Sequence, residues 1–346
     1  MKKTLIALSL ASVATAATAS VEVTKENFVQ AESTKYFNVQ MDKAQINEFS
    51  HQRTMANVGT QDIIRMNQDT AYSIAVIDVS EGATITLPER NTYASALFID
   101  INHLNPAVIY AGESITLTAD DMTEGEHVYM LLRTGTKSYD TRGFSDMNAY
   151  QDSVTIEAKS ANAFKGVDYD QATRAATQAW TEQEVRKGKL DKPWLAMGRT
   201  FADVDKTNHL LAAGIGWAAL PAAHASYTPA LPGQGAKGCS SVTFDAPPLD
   251  YANGGFFSLT TYDKAGWIAE ENFALNNQQA AVNEDGTYTF HFQEVGSKCP
   301  EGAVNMLDVR ENWVGIFRMY KPEDVQTIIP YTKMFMGNPI KTLPSN

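Results

Sequence analysis

The stretch that decides the fold reads RMNQDTAYSIAVIDVS and covers residues 65–80. Its second half alternates as a β-strand does, because Tyr72, Ile74 and Val76 fall on one face and the residues between them fall on the other. Residues 80–82 (Ser-Glu-Gly) then supply a turn. We therefore predict a strand from about residue 72. The polar residues before it either shape the strand entry or line a site.

Further short strands follow on both sides of a helical segment. They are predicted at residues 83–87, 95–100, 128–133, 241–244, 254–262, 287–293 and 313–320. Between them, residues 168–218 show helical spacing, with a stripe predicted to be buried at Ala172, Ala175, Ala176, Ala179 and Trp180. The pattern predicts a mainly β (α+β) protein with two β-sandwich or jelly-roll-like domains and a helical connector. We place the N-terminal domain at 20–160, the connector at 161–225 and the C-terminal domain at 226–346.

The N-terminus has the features of a secretory signal peptide. Two lysines precede an apolar run over residues 5–13, and Ala17-Thr18-Ala19 gives the small-x-small cleavage pattern. We expect cleavage after Ala19, which predicts a periplasmic or secreted protein of a Gram-negative bacterium. Because that compartment is oxidising, Cys239 and Cys299 are predicted to form a disulfide, and a reactive thiol is the alternative.

Composition and motifs exclude several function classes. The net charge of −12 disfavours nucleic acid and anionic membrane surfaces as partners. After the signal, no apolar run approaches the ~18 residues of a membrane helix. The histidines show no metal-ligand spacing. Gly233–Gly238 matches G-x-G-x-x-G by letter only, since Pro229, Leu231 and Pro232 precede it and a β-like stretch, not a helix, follows at residues 240–244. We expect no metal and no cofactor. A small-molecule ligand and a homo-oligomer both remain open.

Two arginines stand on predicted apolar strand faces. Residues 128–133 put Arg133 on such a face, and residues 313–320 put Arg318 on the same face as Tyr320. A charge that leaves water needs a partner. Each arginine therefore predicts either an ion pair within the fold or a pocket for an anion.

Several motifs together resemble known families. In the first half they are Asn67-x-Asp69-Thr70-x-Tyr72, Asp78, Pro88, Tyr93 and Asp100. In the second half they are residues 257–263, Gly266, Asn283-x-Asp285-Gly286-Thr287 and Phe317-Arg318-x-Tyr320-x-Pro322. The first set resembles domain of unknown function 1254 (DUF1254) and the second resembles its companion DUF1214, over roughly residues 35–335. The resemblance implies two β-rich domains with helical connections and no established reaction. Gln68 departs from it, because members often have arginine there.

The favoured function is binding of a small polar or anionic, sugar-like organic ligand. The candidate binding residues are Asn67, Asp69, Tyr72, Arg133, Tyr262, Asp263, Arg318 and Tyr320. Trp267 and Trp313 are further candidates for stacking. One alternative is a hydrolase or lyase with Asp69 or Asp263 as base, and another is a structural or assembly protein of the envelope. Asn67 and Asp69 also suit an Asx turn, so a purely structural role stands beside the site role.

Overall fold

The computed structural model describes residues 20–61, 64–230, 237–337 and 340–343. The predicted signal peptide and most of the Gly233–Gly238 motif lie outside these ranges. Within them, no helix has the length and apolar character needed to cross a membrane.

The described chain is mainly β, as the sequence predicts. The strands of its first half are β1 (Ser50–His51), β2 (Thr70–Asp78), β3 (Ala83–Thr86), β4 (Ala94–Ile99), β5 (Val108–Tyr110), β6 (Ser114–Leu117), β7 (His127–Gly135) and β8 (Thr155–Ala158). Those of its second half are β9 (Ala225–Ala230), β10 (Cys239–Phe244), β11 (Phe256–Tyr262), β12 (Ala274–Asn276), β13 (Tyr288–Glu294), β14 (Met306–Val309), β15 (Val314–Tyr320) and β16 (Lys341–Thr342). The helices are α1 (Phe28–Met41), α2 (Thr141–Ser153), α3 (Gln171–Arg186), α4 (Lys206–Ile215) and α5 (Val325–Met336).

The first sandwich is built from strands β1 to β8. One sheet has the order β1-β2-β7-β4-β5 and the other the order β6-β3-β8, and the pairing is antiparallel. Both sheets bury Ile77, Ile85, Phe98 and Met130 in a shared core. The alternation of β2 thus points one set of side chains into this core and leaves the set of Tyr72 on the opposite face.

The second sandwich is built from strands β9 to β16. Its sheets have the orders β12-β11-β15-β9 and β14-β13-β10-β16, with one parallel pair between β13 and β14. The core is rich in aromatic rings, and Phe335 of α5 stacks on Phe317 of β15 at 4.4 Å between ring centroids. The predicted disulfide between Cys239 and Cys299 is confirmed, with 5.0 Å between the two Cα atoms.

A third apolar core lies between the two sandwiches. The outer face of the five-stranded sheet contributes Val76, Leu97 and Tyr129, and the facing sheet of the second sandwich contributes Phe256 and Tyr320. All five side chains are buried. The five-stranded sheet of the first sandwich and the β12-β11-β15-β9 sheet of the second therefore face each other across this apolar core. The domain boundaries given above stay predictions.

Helices α3 and α4 lie within the segment predicted to be helical, but the predicted burial of the alanine stripe on α3 is wrong. The exposed positions are Ala172, Ala175, Ala176 and Ala179. The inner face instead carries Thr173, Thr177 and Thr181. Thr181 is fully buried against Gly214 of α4, where an added Cβ would lie 2.0 Å from the threonine Oγ1. Since the threonine face of α3 packs against α4, the alanine face is left exposed to solvent.

Candidate functional site

Arg133 lies on a central strand of the first of the two facing sheets. On β7 it pairs across the sheet with Tyr72 of β2 and Ser95 of β4. Its Nη2 donates to the Ala218 carbonyl at 2.7 Å, while Nε and Nη1 are buried and have no partner among the described residues. The guanidinium carbon lies 6.0 Å from the ring centroid of Tyr72. The described part of the chain offers this buried cation no carboxylate in an ion pair.

Arg318 occupies the matching place on the facing sheet. On β15 it pairs with Ser258 of β11 and Tyr227 of β9. Its Nη2 donates to the Arg65 carbonyl at 2.6 Å and to the Tyr262 hydroxyl at 2.8 Å. Its Nη1 is buried without a partner in the described ranges. Each arginine is on a strand that is hydrogen-bonded to a neighbouring strand on both sides, so the backbone of both residues is held in place.

Asp69 supplies the acid of the cluster. Its Oδ2 accepts from the Ser258 hydroxyl at 2.5 Å. Burial raises the pKa of Asp69 to about 6, although the bond from Ser258 and the charge of Arg318 act to lower it. Burial likewise opposes the charge of Arg318, yet nearby tyrosines and Asp69 raise the pKa of Arg318 above its ordinary value. Arg318 thus keeps its positive charge near a carboxylate whose pKa is raised to about 6.

Asn67 has two structural roles, of which the turn at the strand entry was predicted from sequence. Its Oδ1 accepts from the backbone N–H groups of Asp69 and Thr70 at 3.0 and 3.2 Å, which is the predicted turn at the strand entry. Its Nδ2 donates to the Tyr320 hydroxyl at 3.0 Å on the other sandwich. Tyr320 in turn stacks on Phe256 at 4.5 Å. The residue therefore shapes the chain and also ties the two sandwiches together.

We call the buried group between the sandwiches the arginine cluster. It contains the half-buried Tyr72 and the buried residues Asn67, Asp69, Arg133, Ser258, Tyr262, Arg318 and Tyr320. Of the residues predicted from sequence, Asp263 lies apart, because its Oδ1 accepts from the N–H groups of Ala265 and Trp267 in the turn after β11. The stacking role predicted for Trp313 is wrong, because its ring is buried against Phe292 in the second core.

Several contributors were not predicted from sequence. Ser258 shares the strand face of Tyr262, so alternation along β11 was the available signal. Tyr227 lies on β9, for which we predict no strand. The backbone carbonyls of Arg65 and Ala218 could not be predicted as contributors, because every residue type has a backbone carbonyl. Within the described ranges, no group of three or more histidine, cysteine, aspartate or glutamate side chains comes together to hold a metal.

The raised pKa of Asp69 predicts a specific pH dependence of stability. Between its ordinary value of 3.8 and about 6, the folded protein keeps a proton that the unfolded chain has released. The free energy of unfolding should therefore fall as pH rises from 4 to 6 and then level off. This contribution is on the order of 3 kcal/mol. Asp69→Asn should remove it.

Urea denaturation of both proteins from pH 4 to pH 8 measures this contribution. Other groups titrate in both proteins, so the difference between the two pH profiles isolates Asp69. Parallel profiles would show that the carboxylate has an ordinary pKa.

Comparison with known proteins supports the fold and the family resemblance. Residues 46–120 match the family described as Protein of unknown function (DUF1254), which confirms the predicted resemblance there. The resemblance to DUF1214 stays a prediction. No curated protein sequence matches the chain.

Two solved structures are similar to this one. The VPA0106 protein from Vibrio parahaemolyticus is 16% identical with a TM-score of 0.65, over 92% of this chain and 98% of its own. An uncharacterized protein from Burkholderia cenocepacia is 13% identical with a TM-score of 0.50, over 87% and 86% of the two chains. At these identities the likeness shows the fold alone.

Proposed function

We propose that the protein binds a small organic anion between its two sandwiches, with Arg133 and Arg318 as the groups that fix its charge. The observation that carries this proposal is that three buried guanidinium nitrogens of these two arginines have no partner in the described chain. A buried donor left without an acceptor costs about 1–3 kcal/mol, and more for a charged group. A ligand rich in oxygen acceptors would remove that cost.

The charge balance of the arginine cluster favours the same ligand class. Two guanidinium groups face one carboxylate, and that carboxylate is Asp69, whose pKa is raised to about 6. The excess positive charge lies in a poorly solvated interior, where attraction to an anion is stronger than in water. Carboxylates match the planar guanidinium through paired hydrogen bonds. The tyrosines add ring faces and hydroxyls suited to a polar, sugar-like body.

Replacing Arg133 by glutamine tests the proposal. Calorimetric titration with citrate, succinate and glucuronate, and with glucose as the uncharged control, should detect binding of at least one acid. We expect Arg133→Gln to weaken that binding by at least about tenfold, since a charged hydrogen-bonding pair is lost. Binding should tighten as pH falls from 7.5 to 5, because protonation of Asp69 removes the competing negative charge.

The matched control is Arg310→Gln, since Arg310 is exposed and ion-paired with Glu270 outside the cluster. The affinity of Arg310→Gln for the bound acid should equal that of the wild type. Binding of no acid in the panel, or equal loss in both variants, would refute an anion site at Arg133.

A hydrolase or lyase is the second candidate, and Asp69 favours it. A buried carboxylate with a pKa raised to about 6 suits a general base near neutral pH. It also lies close to the tyrosine hydroxyls that could return a proton. Product formation from a bound acid, lost in Asp69→Asn with binding retained, would favour this reading. Binding without turnover would favour the first.

We also propose that the protein acts in the periplasm or is secreted. The predicted signal peptide supports this location, and the disulfide fits an extracellular one. The mass of the protein recovered from the periplasmic fraction tests it, because cleavage after Ala19 leaves a chain that begins at Ser20. A full-length cytoplasmic product would refute it.

A further inference from the structure

A surface cleft lies beside the arginine cluster, between the outer face of α3 and the turn after β11. Its volume is about 520 Å³, within the ~300–1,000 Å³ typical of small-molecule sites. Helix α3 contributes Gln178, Glu182 and Arg186, and the turn contributes Lys264 and Trp267. The three α3 side chains lie outside the helix face that the threonines occupy, so they can reach the cleft.

The cleft concentrates positive charge in an acidic protein. Glu182, Arg186 and Lys264 form no ion pair within the described ranges, and the Arg186 guanidinium contacts only the Lys264 carbonyl at 3.5 Å. The half-buried side chain of Arg65 lies outside the cleft lining, but close enough for its charge to interact with Glu182 and Arg186. Two cations, Arg186 and Lys264, therefore line the cleft with one acid, although the whole chain has a net charge of −12. Such a local concentration of positive charge attracts anions.

Trp267 gives the cleft an aromatic face at a fixed position. Its side chain is 39% exposed, which is high for a tryptophan. The preceding Gly266 has a φ of 92°, and Asp263 accepts from the Trp267 backbone N–H at 3.0 Å. An exposed indole held in this way presents a flat apolar surface next to amide, carboxylate and cationic groups.

We propose that this cleft is a binding site for an acidic saccharide, a pyranose ring that carries a carboxylate. The apolar C–H face of the ring packs on the Trp267 indole. Gln178 and Glu182 hydrogen-bond its hydroxyls, and Arg186 and Lys264 pair with carboxylates. An uncharged sugar would leave both cations unused, and a purely aliphatic acid would leave the indole uncovered.

The cleft is a separate site from the arginine cluster, but the two adjoin at Arg65. The Arg65 carbonyl accepts from Arg318, and its backbone N–H donates to the Gly266 carbonyl at 2.8 Å. The side chain of Arg65 donates to the Ile215 carbonyl. The cleft site depends on different side chains, so it can be tested independently of the proposed function.

Titration with digalacturonate, and with the neutral galactobiose as control, tests the cleft site. Digalacturonate should bind and change tryptophan fluorescence, while galactobiose should bind at least about tenfold more weakly. Trp267→Leu, and separately the double variant Arg186→Gln with Lys264→Gln, should each weaken digalacturonate binding by at least about tenfold. The affinity should also fall with added salt in the wild type.

Two controls separate this site from the rest of the molecule. Trp180→Leu changes a tryptophan that lies on α3, outside the cleft, with its ring under the Lys25 ammonium. This variant should leave the affinity for digalacturonate unchanged. Arg310→Gln removes an exposed cation outside both the cleft and the arginine cluster and should also leave it unchanged. The cleft uses none of the side chains of the arginine cluster, so failure of that cluster as a site would not remove the cleft. No digalacturonate binding would overturn the inference. Equal binding of galactobiose or phenylacetate, or insensitivity to the cleft variants, would do so too.

Discussion

Arg318→Ala is expected to lower the free energy of unfolding by about 3–5 kcal/mol. The guanidinium is buried, with 4% of the residue exposed, and bonds a carbonyl and a tyrosine hydroxyl from two different segments. Its removal takes the donor from the Arg65 carbonyl, leaves the Tyr262 hydroxyl with its bond to the Met66 carbonyl, and takes away the nearby positive charge that favours the ionised form of Asp69. It also opens a cavity between the two sandwiches.

Urea denaturation at pH 7.5 measures this loss. Arg310→Ala is the matched control: 59% of its side chain is exposed, so its loss should stay under about 1 kcal/mol. Adding Asp69→Asn to Arg318→Ala should recover part of the stability, since the uncompensated charge is then gone. A loss from Arg318→Ala no larger than that of the control would mean that water, and not the fold, satisfies this arginine.

Replacing Cys239 and Cys299 together by serine should lower the free energy of unfolding by about 4 kcal/mol. The disulfide closes a loop between residues 60 positions apart, so it restricts the unfolded chain strongly. It joins the start of β10 to the connection between β13 and β14, and thereby holds that connection against a central strand of the second sandwich.

The wild type unfolded in dithiothreitol should behave like this double variant. Thiol titration of the unfolded, unreduced protein should find no reactive cysteine. A shift in free energy below about 1 kcal/mol would indicate that the reduced chain already holds the loop closed.

The regular strands could be predicted because their alternation is long enough to be recognised. β2 and β15 carry seven or more residues, and one face of each is apolar. The strands β5 and β12 have three residues each and form through pairing with neighbours, so local spacing cannot reveal them. Helix α5 was not predicted. It contains Pro330, a residue that normally argues against a helix interior.

The arginines of the candidate site could be predicted for a related reason. A charge on an apolar strand face stands out in the pattern, as Arg133 and Arg318 do. Their meeting across two sandwiches depends on tertiary packing, which no local spacing contains. Each also donates to the carbonyl of a residue with a left-handed backbone, Arg65 with a φ of 61° and Ala218 with a φ of 68°. Neither residue type favours that conformation, so the sequence offers no sign of it.

Because an apolar surface joins the two sandwiches, we expect the two halves of the chain to be inherited together. Each sandwich closes its own core, yet a gene fragment ending after β8 would carry Val76, Leu97 and Tyr129 into water. A fragment beginning at β9 would do the same with Phe256 and Tyr320. Exposed patches of this kind invite aggregation. Recombination that exchanges one half must therefore keep a matching face, and Arg133 or Arg318 is exchanged with the face that carries it.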